Sequence, residues 1–364
     1  MTPTTIGIIG AGNISGIYCE SPRRFANIVI GAIADIDLVR ARSQAEKYGV
    51  AKACSVEELL ADPSIDVVIN LTIPAAHAPV SMQALEAGKH VYNEKPLAIE
   101  REDARRMLAL ATEKGLRVGC APDTFLGGGL QTCIQLLNEG AIGTPVGATA
   151  FMLYGGPESW HPNPDFFYQR GAGPMFDMGP YYLTALIAAF GPVRRVTGSA
   201  RITQAERMIT SQPHHGTMIN VTTPTYISGV LDFESGPVGT IITSFDVHHG
   251  NLPNLQIYGT HGTLMMPDPN TFGGPVKLWT TESKEVREIE LTHGYSDNSR
   301  GIGVADMVEA IRTDRPHRAS GELAYHVLDL MHAFHDASRE ERHITMQSTC
   351  ARPAALPADW VPQA

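Results

Sequence analysis

The sequence lacks the marks of several large protein classes. Its five cysteines (Cys19, Cys54, Cys120, Cys133 and Cys350) are odd in number, widely spaced and without a C-x-x-C pair, so neither a disulfide framework nor a zinc knuckle is indicated. No apolar run approaches the roughly 18 residues that span a bilayer. The opening MTPTTIGIIGAGN has neither a basic leader nor an apolar stretch with a cleavage site, so no signal peptide is expected, and a reducing cytoplasm fits best. Positive charge is also scarce. Lys and Arg number 28 against 38 Asp and Glu, a net −10, which argues against nucleic acid as a partner. Residues 1–122 hold 13 basic and 14 acidic side chains and residues 123–364 hold 15 and 24, so the acidity sits in the later part of the chain. With 43% hydrophobic and 18% charged residues over 364 positions, the chain can bury a sizeable core, in two domains.

Up to about residue 120, short β-branched runs (5–10, 28–34, 67–71, 90–92 and 116–120) alternate with helical stretches such as 37–48 and 100–114. Ser55-Val-Glu-Glu58 has the form of a capping box. Strict alternation implies βαβ units and a mostly parallel sheet. After a helix at about 129–138 the pattern changes to successive strands (145–154, 193–202, 225–233, 239–247, 255–258, 276–280 and 286–291) with turns between them. This suggests an antiparallel sheet, closed by helices near 302–312 and 323–338. The expected organisation is α/β: a dinucleotide-binding Rossmann domain over 1–122, then an α+β domain over 123–364 with a large open, mainly antiparallel sheet.

The first strand runs directly into Gly10-Ala-Gly12-Asn13-Ile14-Ser15-Gly16. Glycines stand where a strand must turn tightly and let a pyrophosphate approach backbone N–H groups at a helix start. A lone G-x-G is a weak signal among 35 glycines, but here a strand precedes it and a helix follows. Asp35 closes the second strand 23 residues beyond Gly12, where an acid can bind ribose hydroxyls. Asp35, Ile36 and Asp37 precede the first following base, Arg40, so a 2′-phosphate would meet negative charge and NAD is favoured over NADP. The bland alternative is that Asp35 only caps the next helix. Since no Lys or Arg occurs before Arg23, backbone N–H groups and a helix dipole around residues 10–16 must hold the pyrophosphate.

Four ordered motifs, Gly10-Ala-Gly12, Thr72-Ile73-Pro74-Ala-Ala-His77, Glu94-Lys95-Pro96 and Gly171-Ala-Gly-Pro-Met-Phe-Asp177-Met-Gly-Pro-Tyr181, resemble those of the Gfo/Idh/MocA oxidoreductases, the glucose–fructose oxidoreductase and inositol dehydrogenase type. The resemblance spans nearly the whole chain. It implies pyridine-nucleotide redox chemistry on sugars and cyclitols, with Gly10, Gly12, Asn13, Ile14, Asp35, Ile36, Thr72, Ile73, Pro74, His77, Glu94 and Lys95 at the cofactor. It also implies Lys95, Asp177 and Tyr181 as the catalytic group. Most of the family carries histidine where this chain has Tyr181, and a phenol can also donate and accept in a proton relay.

The residues support the same assignment on their own terms. Lys95 follows a parallel strand, at the edge where open α/β sheets place ligand chemistry. An ammonium there, partly desolvated beside a positively charged nicotinamide, is expected to release its proton to or take one from a substrate hydroxyl; the bland alternative is a surface lysine. Glu94 reads as a residue that positions the ribose or the lysine. Asp177 could equally cap the helix that follows it, with Pro180 in the first turn. Trp160-His161-Pro-Asn-Pro-Asp-Phe166-Phe167-Tyr168 is a stiff aromatic segment whose indole suits stacking on a sugar ring, while Phe166 and Phe167 can equally pack in the core. Asp123 and His161 are further candidates for binding substrate hydroxyls. The pairs His214-His215 and His248-His249 would point to opposite faces of a strand, so no metal is expected.

Three functions fit. The first is a dehydrogenase oxidising a secondary hydroxyl of a sugar, glycoside or cyclitol; the second is an NAD-dependent glycosidase working by oxidation, elimination, hydration and reduction; the third is a non-catalytic dinucleotide sensor. An open sheet needs cover, so a homodimer or homotetramer is expected.

Overall fold

A computed structural model describes residues 2–363. The chain divides into two compact units: the residues up to Gly127 together with Gly294–Tyr325 and Leu356 onward, and Gly128–His293 together with His326–Ala355. This differs from a single cut at residue 122, because a late segment returns to the first unit. Asn27 donates to the carbonyl of Ala305 at 2.9 Å and Ser320 bridges to Gly119, contacts that no local pattern announces.

In the first unit, β1 (Thr4–Ile9), α1 (Ser15–Glu20), β2 (Ile28–Ala34), α2 (Leu38–Tyr48), β3 (Lys52–Cys54), α3 (Val56–Leu60), β4 (Val67–Asn70), α4 (Pro74–Glu86), β5 (His90–Asn93), α5 (Arg101–Glu113) and β6 (Val118–Cys120) follow one another. The strands pair in the order β3-β2-β1-β4-β5-β6, every pair parallel. Ile6, Ile8, Ile9, Val67, Val68 and Ile69 are at most 1% exposed, which is why these strands read as continuous apolar runs rather than as alternation. Ser55 and Glu58 form the expected capping box at α3. Helix α4 carries no clear apolar stripe and contains Pro79, so its sequence does not announce it. It starts with Pro74 in its first turn, where the missing N–H costs nothing.

The second unit contains α6 (Gly128–Asn138), β7 (Pro145–Leu153), α7 (Gly173–Asp177), α8 (Gly179–Phe190), β8 (Val193–Arg201), β9 (Glu206–Met208), β10 (Met218–Asn220), β11 (Tyr226–Phe233), β12 (Val238–Ser244), β13 (Leu255–Gly259), β14 (Gly262–Met266), β15 (Val276–Thr280) and β16 (Val286–Ile289). Helix α9 (Ile302–Arg312) belongs to the first unit, and α10 (Gly321–Glu340) and β17 (Ile344–Thr345) follow. Nine strands form one sheet in the order β16-β15-β14-β13-β7-β12-β11-β8-β17, while β9 and β10 pair apart from it. The sheet is antiparallel except at its centre, where β7 and β12 run parallel. Purely antiparallel succession fails there because β8 and β11 intervene before β12 pairs back onto β7. Exposure alternates strictly along β11, so one face of the sheet is buried and the other half-exposed.

Candidate active site

Gly10 leaves β1 at φ +105°, and a Cβ there would lie 2.6 Å from the carbonyl carbon and oxygen of Leu71, so the turn admits only glycine. A Cβ on Gly12 would meet nothing within 4 Å, so the loop backbone faces open space on that side. Gly16 is where α1 presses against the Tyr48 ring of α2, so close helix packing falls one residue after the third small position, Ser15. Helix α1 has only six residues, and its dipole is correspondingly limited.

Asp35 is 9% exposed and accepts from the N–H of Ala11 at 2.7 Å through one oxygen and of Asp37 at 2.9 Å through the other. It therefore braces the glycine loop. The cap of α2 is Asp37, which accepts from Val39 and Arg40, so capping is not the task of Asp35. Ile36 is fully exposed and Ile73 70% exposed, giving apolar surface after β2 and after β4 at the same sheet edge, with Asn13 and Ile14 also exposed between them. A tight glycine turn, open space over Gly12, a braced carboxylate and three exposed apolar side chains, Ile14, Ile36 and Ile73, fit a dinucleotide.

Beneath the next loops lies a buried polar network. Asn70 accepts from the backbone N–H and the hydroxyl of Thr72 and donates to the carbonyl of His77 and to Ser81; Ser81 in turn donates to Asn93. His77 is 1% exposed, with its ring nitrogens 2.6 Å from the Pro96 carbonyl and 3.0 Å from that of Thr72, and burial pushes its pKa down. His77, expected at the cofactor, thus lies inside, as a strut between the Thr72 and Lys95 loops, while Thr72 and Pro74 are half-buried. Sequence alone gave no sign of this, because a buried and an exposed histidine look the same there.

Lys95 stands two residues beyond the end of β5 and is half-buried. Glu94 beside it is fixed at both oxygens: Oε1 accepts from the hydroxyl of Tyr18 at 2.7 Å and Oε2 from the N–H of Lys95 at 3.0 Å. Burial, then the charge of Glu94, hold the Tyr18 phenol well above its ordinary pKa, so it remains a donor. Tyr18 is a site residue that the sequence reading missed, since nothing in α1 marks a tyrosine as reaching a residue 76 positions away. Asp123 takes a different place from the one expected. It is 1% exposed, and its Oδ2 accepts from Gly301 and Gly303 at 2.9 and 3.1 Å, securing the start of α9. Burial pushes its pKa up to about 6 against these bonds and the charge of Arg300. The geometry gives Asp123 a structural task rather than a substrate contact.

In the second unit, Asp177 ends α7 and Tyr181 lies in the first turn of α8. The N-cap of α8 is Met178, so Asp177 is not at the N-cap position. Tyr181 is 7% exposed; its neighbour Tyr182 turns inward and accepts from Asn254 at 2.9 Å. Tyr154, just past β7, was not expected here: burial and then the charges of Asp177 and Glu158 push its phenol well up. Trp160 is 60% exposed, with its ring 5.4 Å from that of His161 and 6.4 Å from that of Phe167. Phe167 is buried while Phe166 is 46% exposed, so only one of the pair joins the core. Among the described residues, no three His, Cys, Asp or Glu side chains gather as a metal site.

The strand order, the glycine turn and the braced acid define a dinucleotide-binding Rossmann protein. Residues 4–121 match the family model described as "Oxidoreductase family, NAD-binding Rossmann fold", and residues 130–265 match the "GFO/IDH/MocA C-terminal domain". The chain is 23% identical to myo-inositol 2-dehydrogenase of Thermotoga maritima over 94% of its own length and 98% of the relative's. Its fold is similar to that of an NAD-binding oxidoreductase from Klebsiella pneumoniae, with a TM-score of 0.84 and 23% identity over 95% and 99% of the two chains. It is also similar to levoglucosan dehydrogenase solved with NADH and levoglucosan, with a TM-score of 0.81 and 20% identity over 95% and 100%. The chain belongs to the Gfo/Idh/MocA oxidoreductase family, and residues 4–121 are its NAD-binding Rossmann domain.

Proposed function

We propose that the protein oxidises a secondary hydroxyl of a sugar, glycoside or cyclitol, with Lys95 as the acid/base. The observation that carries this reading is the double restraint on Glu94, which holds the backbone of Lys95 at the C-terminal edge of the parallel sheet, where such sheets receive ligands. NAD, when bound, supplies the hydride acceptor. Lys95 takes the hydroxyl proton, Tyr181 relays it, and Asp177 holds the hydroxyl. Trp160 offers an exposed indole for the C–H face of a ring, with His161 beside it. Gly10, Gly12, Asn13, Ile14, Asp35, Ile36, Thr72, Ile73 and Pro74 bind the cofactor. Myo-inositol 2-dehydrogenase and levoglucosan dehydrogenase, by their names, act on a cyclitol and an anhydrosugar, which supports the substrate class.

The test is to mix the protein with NAD and a panel of polyols and follow NADH absorbance near 340 nm. Turnover with at least one neutral polyol is expected, and Lys95→Met should lose it while still binding NAD. Bound NAD with no absorbance change on any polyol refutes the reading. Aglycone release from glycosides without NADH accumulation would instead select the glycosidase cycle. We further propose a cytoplasmic homo-oligomer. All five cysteines are free and buried. The half-exposed face of the large sheet presents Phe151, Val230, Ile242, Met265 and Trp279, a surface suited to a second copy. Light scattering should give at least a dimer; a strict monomer overturns this.

A further inference from the structure

A buried charged knot lies in the second unit, outside the groups assigned above. Arg207 on β9 has only 5% of its side chain exposed and faces two carboxylates from separate segments. Its Nη1 donates to Glu158 Oε1 at 2.6 Å and to the Phe245 carbonyl at 3.1 Å, and its Nη2 donates to Asp246. The second oxygen of Asp246 accepts from Thr225 at 2.8 Å, and the second oxygen of Glu158 accepts from the hydroxyl of Tyr168. The guanidinium carbon sits 5.3 Å from the centre of the Tyr168 ring.

Two carboxylates and one guanidinium, each at most 15% exposed, are costly to desolvate, and a knot of this kind seldom adds net stability over apolar packing. What it does supply is geometry. A planar fork that meets one acid on each side fixes the distance and angle between the segments that carry them. Here those segments are the stretch 155–168, which has short 3-10 turns at Pro157–Ser159 and Asp165–Tyr168, and the end of β12 with the residues after it. The first carries Trp160, two residues after Glu158. Trp160 is 60% exposed and meets the rings of His161 and Phe167 edge-on, so its direction depends on the path of the loop more than on burial.

We infer that Arg207 is a positioning residue for the substrate: by joining Glu158 to Asp246 it fixes the loop that presents Trp160, and so sets affinity for the substrate ring without touching it. This rests on Trp160 being the stacking residue proposed above. The test uses the full chain with Arg207→Met and Arg207→Lys, reading amide hydrogen exchange over 155–168, NAD affinity, and kcat and KM for the best polyol. Arg207→Met should speed exchange in that segment at least tenfold and raise polyol KM at least tenfold. NAD affinity should stay within twofold. Arg207→Lys, which keeps the charge and loses the fork, should fall between. If Arg207→Met fails to fold with two facing carboxylates, Arg207→Met/Glu158→Gln/Asp246→Asn removes all three charges together and should show the same loosening. Unchanged exchange over 155–168 overturns the inference for Arg207. Faster exchange with unchanged polyol KM overturns the role of Trp160, and with it the effect of Arg207 on substrate.

Discussion

Tyr18→Phe isolates the brace behind Lys95. The substitution removes one oxygen from a side chain that is 0% exposed and leaves the ring in place, so any void is no larger than a hydroxyl group. The lost hydroxyl donates to Glu94 Oε1 at 2.7 Å. A bond to a charged acceptor contributes about 1.5–3 kcal/mol, and its loss leaves a part-buried carboxylate oxygen short of a donor. For a domain of this size that corresponds to roughly 3–12 °C in Tm. The kinetic effect follows from the other oxygen of Glu94, which holds the N–H of Lys95. A displacement of about 1 Å at a reacting group costs on the order of 100-fold, so a drop of about 10- to 100-fold in kcat is expected, with little change in NAD affinity. Because burial and Glu94 keep the phenol protonated, wild-type activity should show no titration from Tyr18. A double-mutant cycle with Glu94→Gln, read by thermal unfolding and by NADH formation, should give a coupling above about 0.5 kcal/mol. Full additivity, or a Tyr18→Phe enzyme matching wild type in both Tm and kcat, refutes the brace.

Gly10→Ala should cost about 1–3 kcal/mol for the backbone at φ +105° alone, with the contact to Leu71 in addition, and a fluorescence titration should show NAD binding lost; normal affinity would contradict the glycine requirement. Asp35→Ser removes the acid that faces Arg40 at 3.9 Å and should shift the ratio of kcat/KM for NADP over NAD upward at least tenfold, about 1.4 kcal/mol; an unchanged ratio rejects charge as the basis of cofactor choice. His326 accepts the Val193 N–H at 3.0 Å through Nε2, so its Nδ1 carries the proton, toward Ser348 at 2.8 Å, and burial pushes its pKa down to about 4. The neutral ring is the folded form, so its stabilisation is present above about pH 6.5 and is lost on acidification from there through about 4, in total about 3 kcal/mol. Unfolding by urea at pH 7.5 and 4.5 should show a smaller acid loss in His326→Gln than in wild type; equal losses exclude His326 as the cause.

Sequence alone determined the parts whose chemistry is local. The glycine turn, Asp35 and the Glu94-Lys95-Pro96 motif each lie within a strand and the turn that follows it, and a parallel strand buried on both faces is legible as a β-branched run. The motif order was enough to name the family. Tertiary structure decided everything that depends on which distant segments meet. Asp123 secures a helix 178 residues later, Tyr18 reaches Glu94 across 76 residues, and Arg207 joins acids 49 and 39 residues away. The same holds for β12 pairing parallel to β7, for the return of α9 to the first unit, and for His77 turning inward between two loops. The physical reason is common to all of them. Periodicity and turn chemistry report how a residue treats its own neighbours. The partner of a buried polar group is set by the close approach of segments remote in the chain, where an unpaired donor or acceptor is too costly to leave.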